Sequence, residues 1–316
     1  MSSHIFAVSA GDVRYPTALA AIHDPPDILW IKGQIDGFRT PAVAIVGSRR
    51  ASPYGLEVAR RLGSDLARRG VTVVSGMARG IDSAAHRGAL DGGGITVAVF
   101  GCGVDVVYPP EHRALAERIA ERGALVSEFD PGMPPLRSNF PQRNRIISGL
   151  SLAVVIVEAA EKSGSLITAD FALEQGRAVL AVPGNVLGGR NYGAHALLRD
   201  GAKLVECADD ILEELPLRFT EPGPGSRPPQ FDADEPASRK AASQDGVLRA
   251  MVDGETYDLD EISERSGLDR VKLLPRLLEL ELAGSVRRVE GGRFVRFRVP
   301  RLCSGRPEPG SKDGPC

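Results

Sequence analysis

The chain has 316 residues, 42% hydrophobic and 25% charged, with a formal net charge of -2 at pH 7. It is long enough for two globular domains and too neutral to be coated in basic charge, so any nucleic-acid footprint has to be local. The four scattered cysteines, Cys102, Cys207, Cys303 and Cys316, contain no CxxC pair, which excludes a zinc module or a disulfide framework.

The first thirty residues carry charges and prolines, which excludes a signal peptide, and no run approaches the roughly 18 apolar residues of a membrane span. A cytoplasmic chain with reduced thiols and no membrane, metal or cofactor is expected. Residues 1–40 read as a short arm or partial subdomain, punctuated by Tyr15-Pro16 and Asp24-Pro25-Pro26.

From Ala42 onward short apolar runs alternate with amphipathic segments. The runs are Val43–Gly47, Val71–Gly76, Ile95–Gly101, Leu125–Glu128, Leu152–Ala159, Ala178–Gly184 and Lys203–Glu206; several lack alternation, as strands buried on both faces do. Helical patterns lie between them at Gly55–Arg69, Ile81–Leu90, His112–Arg122, Leu166–Gly176 and Ile211–Leu215. Strand–helix alternation predicts an α/β fold with a doubly wound, mostly parallel sheet over 41–215. Residues 216–244, rich in Pro, Gly, Ser and charge, read as a flexible linker. Over 245–299 three helical patterns precede two short strands joined by Gly291-Gly292, an order that suggests a winged helix; residues 300–316 read as a disordered tail.

Strand Val43–Val46 runs into Gly47-Ser48-Arg49-Arg50, and Ser52-Pro53 opens a helix. Ser52 is a fitting N-cap and Pro53 a fitting first residue. Free amides at such a helix start favour a phosphate, Gly47 permits close approach, and Arg49 adds a planar fork. The alternative is a plain turn glycine, for neither G-x-G-x-x-G nor a Walker pattern occurs. A second turn of this kind follows Val157: Lys162 supplies charge, Ser163 and Gly164 form the turn, and Ser165 is the expected cap of a helix from Leu166. Because strand C-termini share one crevice, Gly47, Gly76, Gly101, Ser163 and Gly184 are expected to cluster.

The segment Arg137-Ser138-Asn139-Phe140-Pro141-Gln142-Arg143-Asn144-Arg145 combines three arginines, amides and one ring without an acid. Single-stranded nucleic acid asks for this set. The blander reading is a solvated loop whose Phe140 plugs the core and whose arginines pair with Glu128 and Asp130. Local charge favours binding: residues 41–150 hold fourteen arginines against ten acids, whereas 151–216 hold five basic residues against ten acids.

The stretches AIVGSRRASPYG, VVSGMARGIDSAAHRGAL, GCGVDVVYP, NFPQRNRIISGLS, EAAEKSGSLITADFALEQGR and AVPGN, in this order, strongly resemble the DprA/Smf family (DNA-processing protein A). The resemblance covers Tyr15 to Leu215 and, more loosely, the C-terminal unit. It implies an extended Rossmann-like domain, with a small winged-helix domain, that binds single-stranded DNA without base specificity. It also implies a homodimer through the Rossmann-like domain, loading of the RecA recombinase in natural transformation, and no catalysis. By motif, Arg49, Arg143, Arg145 and Lys162 are implied to meet phosphates and Phe140 to lie near a base. Gly47, Ser48, Arg50, Arg137, Asn139, Asn144, Ser163, Gly164 and Ser165 complete the implied DNA-binding set.

The sterile-alpha-motif-like domain of many relatives is expected to be absent or truncated, and His195 stands where an asparagine is usual. Two alternatives remain open at this level. The SGSLIT turn also resembles the PGGxGT turn of lysine-decarboxylase-like phosphoribohydrolases, with Asp170 and Glu174 as the acids to its C-terminal side. No Ser–His–Asp or paired-carboxylate arrangement is readable, and His86 has no visible partner. A winged-helix transcriptional regulator is the other alternative. In its candidate recognition helix near Asp269–Ala283, Pro275 costs about 3 kcal/mol unless the helix kinks or starts late.

Overall fold

Five runs of four or five apolar or small residues are buried along their whole length: β3 (Ala42–Val46), β4 (Thr72–Ser75), β5 (Thr96–Val99), β6 (Ala124–Ser127) and β7 (Ala153–Ile156). They are the middle of a nine-stranded sheet in the computed structural model, which describes residues 4–215, 245–252, 254–282, 285–289 and 292–296. β8 (Ala178–Ala181) and β9 (Lys203–Leu204) extend the sheet in parallel, and β1 (Ile5–Ser9) and β2 (Ile28–Gly33) close its other edge antiparallel. The order is β1-β2-β6-β5-β4-β3-β7-β8-β9. The chain winds outward in both directions from the β3/β7 pair, as a doubly wound sheet does.

Residues 1–40, expected as an arm, thus contribute two strands and the short helix α1 (Thr17–Ala20) to the main sheet unit. Val8, Leu19, Ile22, Leu29 and Ile31 join the core beside Ile146 and Ile147. These elements escape sequence reading because Tyr15-Pro16 and Asp24-Pro25-Pro26 punctuate the segment and no long helical pattern alternates with its strands.

Helices cover both faces. α2 (Pro53–Arg68), α3 (Ile81–Asp91) and α8 (Ala208–Leu212) bury one face, and α5 (Asn139–Gly149), α6 (Gly164–Glu174) and α7 (Tyr192–Arg199) the other. α4 (Arg113–Arg122) packs over β5 and β6 with Leu115 and Ile119. α2 and α3 approach to backbone contact: a Cβ on Gly63 or Gly88 would lie 2.5 Å from Ala85 O or 2.0 Å from Arg60 O.

The second unit consists of α9 (Gly246–Ala250), α10 (Leu259–Ser266) and α11 (Arg270–Leu282) with a three-stranded sheet. Its strands are β10 (Thr256–Tyr257), β11 (Val286–Arg288) and β12 (Phe294–Arg296), in the order β10-β12-β11. The three helices and the two late strands are as expected, and β10, between α9 and α10, is a strand not expected from the sequence. Asp258 and Glu261 form a capping box on α10, and Gly267 ends that helix in the left-handed region. α11 runs through Pro275. The linker expected over 216–244, the tail expected over 300–316 and Gly291 of the expected turn lie outside the described residues.

Candidate nucleic-acid interface

The strand order reverses between β3 and β7, and a cleft of about 1080 Å³ opens there, beyond the C-terminal ends of both strands. The turn after β3 supplies Gly47, Ser48, Arg49 and Arg50; α5 and its approach supply Arg137, Phe140, Arg143 and Asn144; the turn into α6 supplies Lys162, Ser163, Gly164 and Ser165. Two residues from the set named in sequence lie elsewhere, for Asn139 and Arg145 do not line the cleft. Of the five expected to cluster, Gly47 and Ser163 line it, Gly76 lines an adjoining recess, and Gly101 lies under the Phe140 ring. Gly184 instead pairs with His195, whose Nε2 lies 3.1 Å from its carbonyl oxygen, so His195 secures the end of β8.

The arginine segment is helical from Asn139, and this decides what each side chain does. Pro141 falls in the first turn, where its missing N–H costs nothing. Successive residues turn by 100°, so Phe140, Asn144 and Ile147 share the cleft-facing side while Arg145 points away. Arg145 is buried and donates to Glu128 (2.7 Å) and Asp24 (3.0 Å). The phosphate contact implied for Arg145 is therefore corrected: this guanidinium is committed to an internal ion pair. Asn139 is buried as well, and its Nδ2 has no hydrogen-bond partner among the described residues.

Arg143 is 3% exposed and forms part of the cleft floor. Its Nη1 donates to Val99 O at 2.6 Å, and a Cβ on Gly76 would lie 2.1 Å from that nitrogen, so only glycine leaves room for it. Burial lowers the Arg143 pKa to about 10, opposed by the Asp82 carboxylate, so Arg143 is a cation at neutral pH. Burial raises the Asp82 pKa, and Arg143 together with the amides of Ala78 and Gly76 opposes that shift. Arg143 thus charges the floor from beneath but offers no exposed fork.

The exposed cations are Arg49, Arg50, Arg137 and Lys162, and none enters an ion pair among the described residues. Arg190, from the loop before α7, joins them with its Nη1 on Arg50 O at 3.0 Å. Arg49 lies over the Phe140 ring at 5.6 Å, and Tyr108 meets that ring at 5.6 Å between centroids, tilted by 44°. Arg190 and Tyr108 were not singled out in sequence: each is a lone residue in a loop, with no local pattern to mark it.

The head of α2 differs from expectation. It is occupied by the chain itself: Glu158, 3% exposed, accepts from Ser52 N at 3.1 Å on both oxygens and from Ser52 Oγ at 2.5 Å. Ser52 Oγ in turn accepts from Gly55 N at 3.1 Å, as its N-cap role predicts. Glu158 holds φ at 111°, a conformation costing a non-glycine residue on the order of 1–3 kcal/mol. At α6 the cap is Ser163 and not Ser165; the helix begins at Gly164, and Ser165 N and Oγ both turn to Ser163 Oγ.

The carboxylates of the phosphoribohydrolase alternative are not at the cleft: Asp170 and Glu174 are exposed outside it. The partner of His86 is Thr96. Thr96 Oγ1 donates to Val73 O, so His86 Nδ1 donates to Thr96 Oγ1 at 2.7 Å. Among the described residues no cluster of His, Cys, Asp and Glu could hold a metal ion, and no helix is long and apolar enough to cross a membrane.

Residues 6–216 match the model of the DNA recombination-mediator protein A family, and residues 231–292 match the DprA winged helix domain. The chain is 43% identical to Protein Smf of Escherichia coli K12 over 94% of its own length and 78% of that protein. It is 45% identical to DNA processing protein DprA of Streptococcus pneumoniae, over 65% of this chain and 72% of the other. The solved structure of the Streptococcus pneumoniae protein superposes with a TM-score of 0.65 at 43% identity, covering 67% of this chain and 75% of that one. That of DNA processing protein A from Helicobacter pylori, described for its unique single-stranded DNA binding mode, superposes with a TM-score of 0.60 at 30% identity, over 68% and 100%.

Proposed function

The chain belongs to the DNA recombination-mediator protein A (DprA/Smf) family, and on that premise we propose that its cleft grips single-stranded DNA without regard to base sequence. The observation that carries the reading is the convergence of four exposed cations, unpaired among the described residues, with a cation–ring–ring stack at one switch-point cleft. Arg49, Arg50, Arg137 and Lys162 take phosphates, with Arg190 at the edge, and the Ser163-Gly164-Ser165 turn adds short polar groups. Phe140 and Tyr108 offer ring surface to bases, which every base can use. Phosphate contacts position the strand and carry no sequence information.

The proposal extends to what the family resemblance implies: a cytoplasmic homodimer that passes the strand to the RecA recombinase in transformation and recombination, with no catalysis of its own. The two buried carboxylates at the cleft support binding over chemistry, since Asp82 and Glu158 are both held by backbone amides. Fluorescence anisotropy with oligonucleotides of contrasting base composition tests the reading. Phe140→Ala is expected to weaken binding by about 1–3 kcal/mol, the usual worth of one stacked base, and by a similar factor on every sequence. Unchanged affinity, or loss confined to one sequence, contradicts it.

A further inference from the structure

The turn between β3 and α2 is where doubly wound folds commonly seat a nucleotide phosphate, against helix-head amides. In this chain that position holds a carboxylate. Glu158 reaches it from the end of β7, takes Ser52 N and Ser52 Oγ with its oxygens, and receives Ser48 N on its own carbonyl at 2.7 Å. The fit is close on all sides. A Cβ on Gly55 would lie 2.7 Å from Glu158 Oε2, and one on Gly47 would lie 3.0 Å from Glu158 O. The backbone adopts φ 111° to deliver the group, and Arg190 Nη1 lies 4.0 Å from its other oxygen.

We infer that Glu158 is a specificity-determining residue: its carboxylate takes the place of a phosphate at the head of α2, so the cleft turns away free phosphate and mononucleotides. The inference rests on the single-strand reading and deepens it. With the helix head filled, the cations left to an incoming anion are the exposed Arg49, Arg50, Arg137 and Lys162, carried on three different segments of the cleft wall. A lone phosphate meets too few of them at once, whereas a strand engages several in series through its linked phosphates. The buried Glu158 charge also repels any anion that approaches the α2 head.

The test uses the full chain and compares wild type with Glu158→Gly and Glu158→Gln. Glycine suits φ 111° and removes the carboxylate; glutamine keeps the volume and removes the charge. Thermal unfolding is followed in inorganic phosphate, then in dAMP, against chloride at matched ionic strength. The expected result is an unchanged melting temperature for wild type and for Glu158→Gln, whose side chain still fills the position. Glu158→Gly is expected to rise by about 2–4 °C at a phosphate concentration some tenfold above its dissociation constant.

An equal rise in wild type overturns the inference, as does no rise in a folded Glu158→Gly. A second arm needs wild type alone: single-strand binding must not fall in phosphate or dAMP more than in chloride of equal ionic strength, and a specific fall overturns the inference. Should wild type bind no single strand at all, the functional reading fails, while the unfolding arm still decides the role of Glu158.

Discussion

Arg143 and Arg145 stand two positions apart, and a helical turn sends them to opposite tasks. In an extended segment they would share a face; on α5 they are separated by about 200°. Arg145 neutralises the partly buried Glu128, so Arg145→Ala strands a carboxylate and is expected to lower stability by about 3 kcal/mol, read by urea unfolding. A variant as stable as wild type would show that the pair contributes little. Nothing in the residue types of NFPQRNRIISG distinguishes the two arginines. Their separation follows from the helical period, which Pro141 and the weak apolar pattern disguise. The placement of Glu158 was equally hidden, because its role depends on a backbone conformation that glutamate rarely adopts.

His86 gives the residue scale a pH signature. Burial lowers its pKa to about 3, with His112, Arg143 and Arg87 pushing the same way, while the unfolded chain titrates near 6.5. The folded value is the lower one, so the contribution to stability is fully present above about pH 6.5 and is lost as pH falls toward 3. The expected slope from this group is up to about 1.4 kcal/mol per pH unit in that window. Chemical unfolding between pH 6 and 4 reads it, and His86→Gln is expected to show a correspondingly shallower dependence. Parallel curves for the two proteins would exclude His86 as a source.

Among the elements, the strands from β3 to β9 were the most legible. Both-face burial writes β3 to β7 as runs of apolar or small residues without alternation, bounded by turn residues. β1 and β2 were not legible: they pair antiparallel at a sheet edge, and the prolines between them break the strand–helix alternation that marks the rest of the sheet. The α2–α3 contact depends on glycines in mid-helix, where propensity alone counts against them. Gly88→Ala brings a Cβ within 2.0 Å of Arg60 O and must separate the helices. The expected loss is about 1–3 kcal/mol or more in chemical unfolding; an alanine variant of unchanged stability would show that α2 and α3 can slide apart freely. Because α2 begins at the cleft and α3 follows the Gly76 turn, the same variant is also expected to weaken strand binding.

For the whole molecule, a net charge of -2 conceals a cationic cleft, and the sequence already located that imbalance in residues 41–150. Which cations are free was not readable, since pairing is settled by the fold. The winged-helix unit shows the contrast. Its α11 exposes Val271, Leu274 and Leu278, while Arg270 pairs with Asp260 and Arg276 with Asp245 and Glu279. With both arginines paired, α11 leaves Lys272 as its exposed cation for a phosphate backbone, so the molecule as a whole is expected to favour single strands over duplex.

The most direct test is the salt dependence of single-strand and duplex affinity, measured by anisotropy on wild type and on an Arg49→Ala/Lys162→Ala double variant. With the five exposed cations of the cleft engaged, log affinity for single strands is expected to fall with log salt at a slope of roughly -3.5, and at roughly -2 for the variant. Single strands should bind more tightly than duplex throughout. Tighter duplex binding, or a slope unchanged in the double variant, would contradict the cleft as the place where this protein holds DNA.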